Sequence, residues 1–138
     1  MHMLMQRLCF LLAPLLMTGC YTVHMAQCTV PDNETNRVAV ANIVASVATK
    51  HQLVGHPEQT DQVAMLASYD WMDAKSKRPL SLDVYADAGT ITALLNQTTK
   101  NKTRPERFFS VERDLVTSFR EKFGNAVEID ISHEKSEP

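Results

Sequence analysis

Apolar positions after the N-terminal segment fall into six runs with one of two periods. Val40, Ile43, Val44, Val47 and Val54 recur at three- and four-residue spacing, with Asn42, Ser46, Thr49 and Lys50 mostly opposite. This predicts an amphipathic helix over Glu34 to Gln52, capped by Asp32 or Asn33 and stopped by Gly55 and Pro57. Three alternating segments follow: Gln62 to Trp71, Leu80 to Ala86, and Thr90 to Gln97. Alternation of apolar and polar residues marks strands with one wet face. Asp87-Ala88-Gly89 supplies a tight hairpin between the second and third. Phe108, Val111, Leu115, Phe119 and Phe123 then form the stripe of a second helix, about Arg104 to Lys122. Thr103 and Glu106 have capping-box spacing, Pro105 suits the first turn, and Gly124 is the natural stop. Val127, Ile129 and Ile131 alternate in a last strand, Ala126 to Ile131.

The expected fold is α+β, a two-layer sandwich in the order α-β-β-β-α-β. Two helices cannot cover both faces of a four-stranded sheet, so both are placed on one face of a mostly antiparallel sheet. A crossover through the second helix would return the last strand beside the first of the three, giving the strand order 4-1-2-3. The uncovered face would carry Ser81, Asp83, Tyr85, Thr92, Asn96, Glu128 and Asp130.

The N-terminus has a different character. Arg7 precedes an apolar run from Leu8 to Met17, too short to span a bilayer core of about 20 apolar residues. The run closes on Leu16-Met17-Thr18-Gly19-Cys20, which resembles the lipobox of a bacterial lipoprotein signal, with Met17 where leucine is commonest. The resemblance implies cleavage before Cys20, acylation of that cysteine with palmitate-type chains, and lipid anchoring in the cell envelope. Tyr21 in place of aspartate after the cysteine implies the outer membrane, with the domain facing the periplasm. The chain then divides into a signal peptide (1–19), a lipidated flexible tether (20–33), an α+β domain (34–132) and a frayed tail (133–138). The mature chain has 13 Lys and Arg against 16 Asp and Glu, a net charge of −3 that disfavours nucleic-acid binding. Within the tether, His24, Met25 and Cys28 are soft ligands, one short of the four a closed site needs, so no metal or other cofactor is assigned. With Cys20 acylated, Cys28 is a free thiol or forms an intermolecular disulfide.

Charge placement supplies the remaining candidates. Lys75, Lys77 and Arg78 follow the first strand, and Lys100, Lys102, Arg104 and Arg107 follow the third. In an up-down-up meander both loops emerge at one end, giving a candidate anion-binding pole for headgroups or an anionic polymer. Catalytic signatures are absent: the chain has no Gly-rich phosphate loop, nucleophile elbow, CxxC or HExxH. His51 and His56 stand near a helix end with no encoded base-orienting arrangement, so no catalytic residue is assigned. The reading is a non-catalytic interaction module that docks an envelope protein through Asp83, Tyr85, Thr92 and Asn96. The alternative is a polyanion or small-ligand binder that uses the cationic pole.

Overall fold

The computed structural model describes residues 21–61, 64–72, 79–100 and 105–136. Its elements are β1 (Tyr21–Pro31), α1 (Glu34–Lys50), β2 (Val54–Gly55), a 3-10 turn (Pro57–Asp61), β3 (Met65–Met72), β4 (Pro79–Asp87), β5 (Thr90–Lys100), α2 (Glu106–Phe123), a second 3-10 turn (Gly124–Ala126) and β6 (Glu128–Ser136). The α+β class and the two helices agree with the sequence reading, but the sheet has six strands in the order β2-β3-β4-β5-β1-β6. All neighbouring strands are antiparallel. The expected four strands in the order 4-1-2-3 are therefore incorrect. The meander β3-β4-β5 forms as expected, whereas the last strand lies at the far side of β1 rather than beside β3.

The correction originates in residues 21–31. Instead of a flexible tether they form β1, which pairs with β5 along its whole length and with β6 from Tyr21 to Thr29. Thr22, His24, Ala26, Cys28 and Val30 turn toward the helices and are buried. This inward row mixes polar and small residues, so it lacks the hydrophobic alternation of the other strands. What drives it into the sheet is β-branched and aromatic content together with backbone pairing on both sides. The expected frayed tail is corrected in part as well, since β6 continues to Ser136.

One parity of the strands faces both helices and forms a single core. Leu80, Leu82 and Val84 of β4 and Ile91, Ala93 and Leu95 of β5 pack under Val40, Val44 and Val47 of α1 and Phe108, Val111, Leu115 and Phe119 of α2. Helix α1 is capped by Asn33, whose Oδ1 accepts from the Asn36 N–H at 2.8 Å. It ends earlier than its periodicity suggested, at Lys50, and Val54 lies in β2, 59% exposed. The stop is a Schellman motif: the Leu53 N–H donates to the Ala48 carbonyl at 2.8 Å and the Gln52 N–H to the Thr49 carbonyl at 3.3 Å. Gln52 occupies the left-handed position, φ 60°, that glycine usually fills. At the other end of the chain Gly124 closes α2 with φ 55°, a positive value that suits glycine. The N-cap of α2 is Pro105, without a side-chain capping bond, and Thr103 lies outside the described residues.

Candidate functional site

The sheet presents two chemically different faces. Opposite the helices, the other parity of each strand forms an uncovered surface: Tyr21, Val23, Met25, Gln27 and Thr29 on β1, Ser81, Asp83 and Tyr85 on β4, and Thr92, Leu94 and Asn96 on β5. The register places Tyr85 opposite Thr92 and Asn96 opposite Ser81. All four residues of the candidate partner face, Asp83, Tyr85, Thr92 and Asn96, thus share one surface. Three of them already have partners within it, Asp83 through the Ser68 hydroxyl. The Thr92 hydroxyl lies 3.1 Å from that of Thr29 and is buried, and the Ser81 hydroxyl donates to Asn96 Oδ1 at 2.8 Å. Among the described residues this face carries Asp70, Asp83, Asp87, Glu128 and Asp130 against Lys100, so it is acidic.

At the β2-β3 side a polar cluster stands on the same face. The Ser68 hydroxyl lies 2.6 Å from Asp83 Oδ1 and 2.8 Å from the amide end of Gln59. A single hydroxyl proton goes to the carboxylate, and the Gln59 amide then turns its N–H toward the hydroxyl oxygen. His56 stands between two carboxylates, with Nδ1 3.0 Å from Glu58 Oε1 and Nε2 forming an ion pair with Asp70 Oδ1 at 2.8 Å. Asp70 and Glu58 raise the His56 pKa above its ordinary value. Gly55, His56, Ser68 and Tyr69 help line a shallow pocket of about 200 Å³ here. The imidazole serves the carboxylates rather than the serine, so the cluster holds charge and orders the edge of the face.

The inner face contains the groups that the sequence reading placed in a tether. His24 and Cys28 point toward α2 whereas Met25 points to the open face, so the His24, Met25 and Cys28 trio does not converge. Among the described residues no group of His, Cys, Asp and Glu is arranged to hold a metal. Cys28 is free and fully buried, opposite Ala93 on one side and Ile129 on the other; of the two expected fates, a free thiol or an intermolecular disulfide, it holds the first. Burial pushes its pKa up to about 12, with Glu112 adding to the rise and Arg120 opposing it. His24 Nδ1 meets His133 Nδ1 at 2.8 Å and His24 Nε2 meets the Thr99 hydroxyl at 3.0 Å, beneath the rings of Phe108 and Phe109. Burial, and then His133, lower the His24 pKa.

The cationic pole is mostly outside the described residues: Lys75, Lys77, Arg78, Lys102 and Arg104 lie there, as does Cys20. Lys100 is exposed at the end of β5. Arg107 has internal work. Its guanidinium sits 4.2 Å from the centre of the Trp71 ring and donates to the His51 carbonyl at 2.6 Å, at the C-terminal end of α1. Next to it Asp114 accepts from Lys50 at 2.9 Å and contacts His51 Nε2 at 2.7 Å, and these bonds hold its pKa below the usual carboxylate value. These contacts tie the two helices together. A separate groove of about 580 Å³ runs over the helical layer, lined by Glu34, Val38, Asn42, Ile43 and Lys122 among others.

No family model matches the chain, and no curated protein matches it. Among solved structures, the de novo designed protein Foldit4 aligns over 85% of this chain and 99% of its own, with a TM-score of 0.45 and 9% identity. An unknown protein from Galdieria sulphuraria aligns over 83% of this chain and 50% of its own, with a TM-score of 0.33 and 14% identity. Likeness at this level carries no argument about function.

Proposed function

We propose that the chain is a lipid-anchored protein of the cell envelope whose domain is a non-catalytic interaction module, docking a protein partner through the uncovered face of its sheet. The observation that carries this reading is the face itself: five strands present Tyr85, Met25 and Leu94 among short polar residues, ringed by carboxylates. Antiparallel sheets can leave such a face to water, but half-buried apolar side chains framed by charge suit a protein interface with a polar rim. The charges select the partner class. Asp70, Asp83, Asp87, Glu128 and Asp130 favour a basic surface and disfavour self-association of two copies through the same face.

The lipid anchor rests on the signal-like segment ending in Cys20, and an outer-membrane location on Tyr21. Intact mass and membrane fractionation of the wild type and Cys20→Ala, expressed with the native leader, test that part: acyl mass and membrane recovery should both disappear in the variant. Docking is tested by co-purification from membranes. The Asp83→Lys and Asp130→Lys double variant should lose its partner, and the Lys75, Lys77, Lys100 and Lys102 to Glu combination should keep it. The reverse pattern would favour the polyanion-binding reading.

A further inference from the structure

The first described residue, Tyr21, is already inside the sheet. It pairs with Lys100 of β5 and with Ser136 of β6, so its backbone is held from both sides. Cys20 is bonded directly to it, and consecutive Cα atoms are only about 3.8 Å apart. A lipid on Cys20 therefore has no slack between itself and an interior strand of the six-stranded sheet. The geometry points to an orientation that deepens, and rests on, the lipid-anchored reading: we propose that the end of the sheet marked by Tyr21, Lys100, Met72 and Pro79 seats directly on an anionic phospholipid surface, with the strands standing away from it.

Register defines which groups share that end. Lys100 is level with Tyr21, and Met72 pairs with Pro79, the residue before Leu80, which is itself opposite Gln97. Met72 is 54% exposed, Pro79 and Lys100 are exposed, and Tyr21 is half-buried. An ammonium group, a phenol and an exposed thioether side chain match the headgroup layer, where cations meet phosphates and amphipathic rings sit at the boundary with the acyl chains. Charge also opposes the inverted arrangement. The far half of the sheet carries Asp87 beside the β4-β5 turn and Glu128 and Asp130 on β6, all exposed and repelled by anionic lipid, whereas the near half carries Asp70 and the position of Glu134 set back from the Lys100 end. Strand β5 has 11 residues, so Asp87, opposite Thr90, stands roughly 34 Å from the lipid, and Glu128 and Asp130, opposite Thr29 and Gln27, stand roughly 20 to 27 Å from it. With the strands upright, the open face looks sideways along the membrane, where another envelope protein can reach it.

The experiment uses the acylated protein purified from membranes and reconstituted in vesicles of phosphatidylcholine and phosphatidylglycerol. Single fluorophores are placed at Pro79→Cys or Ala88→Cys, at opposite ends of β4, and quenched by phospholipid carrying a headgroup nitroxide. The expected result is loss of emission at position 79 and none at position 88. Inserting eight Gly and Ser residues between Cys20 and Tyr21 should restore emission at position 79. Equal quenching at both positions, or at neither, in protein of confirmed acyl mass overturns the orientation alone. Absence of acyl mass removes the lipid-anchored reading and the orientation with it.

Discussion

His24 and His133 place their Nδ1 atoms 2.8 Å apart, a separation that requires one imidazole to donate and the other to accept. The pair joins the interior strand β1 to the edge strand β6, and His24 is fixed from its other nitrogen by Thr99. Around it stand Phe108, Phe109 and, from α2, the carboxylate of Glu112, whose pKa is raised chiefly by burial and lowered by His133.

Acid should weaken this junction. The His24 pKa is lower in the folded protein than in the unfolded chain, near 6.5, so the unfolded state binds more protons between the two values. The contribution of His24 is complete above pH 6.5 and falls as pH drops through that window. His56 has the opposite sign, because its pKa is raised: its contribution is complete below pH 6.5 and fades as pH rises through the folded value. Thermal unfolding at pH 7.5 and 5.5 separates the two effects. Wild type should lose more stability on acidification than His24→Gln; equal losses would remove His24 as the source.

Gln52 holds a left-handed conformation at the C-terminus of α1 at a steric cost of about 1 kcal/mol. Gln52→Gly should raise stability by roughly that amount, a shift of about 4 °C in Tm for a domain of this size. Calorimetry checks it. A loss of stability would mean that Gln52 makes compensating contacts.

Arg107 covers Trp71, the chain's sole tryptophan, and caps the His51 carbonyl. Arg107→Lys keeps the charge but loses the planar stacking and the forked donors, and should cost about 1 to 2 kcal/mol. Trp71 emission should shift to the red in this variant as the ring gains water. Unchanged emission and stability would show that the stack contributes nothing.

Cys28 has a pKa of about 12 and no exposed surface. In leaderless protein carrying Cys20→Ala, this thiol should resist a thiol reagent under native conditions and react in denaturant. Rapid native labelling would mean that β1 leaves the sheet readily.

Much of the fold was legible because its signals are local. The stripe of α2, the β3-β4-β5 meander and the Ala88-Gly89 turn, with φ 49° and 83°, follow from period and turn chemistry. β1 was hidden because His24 and Thr22 occupy core positions and because the segment follows a signal-like run, where a tether is expected. Without β1, β6 had no site except beside β3, so one missed strand produced the wrong order. The open face was legible through Asp83, Tyr85, Thr92 and Asn96 since alternation alone assigns parity. The Ser68, Gln59 and Asp83 contact and the role of Arg107 depend on residues brought together across elements, and only 3.6- and 2-residue periods are visible locally.

Site-specific photo-crosslinking in cells, with the probe at Tyr85 or Gln27 on the open face and at Asn42 on the helical layer, shows which surface meets a protein partner. One common adduct is expected from Tyr85 and Gln27, lost when Asp83→Lys and Asp130→Lys are added, and none from Asn42. An adduct from Asn42 alone, or one from the open face indifferent to the charge reversals, would contradict docking of a basic partner on the open face.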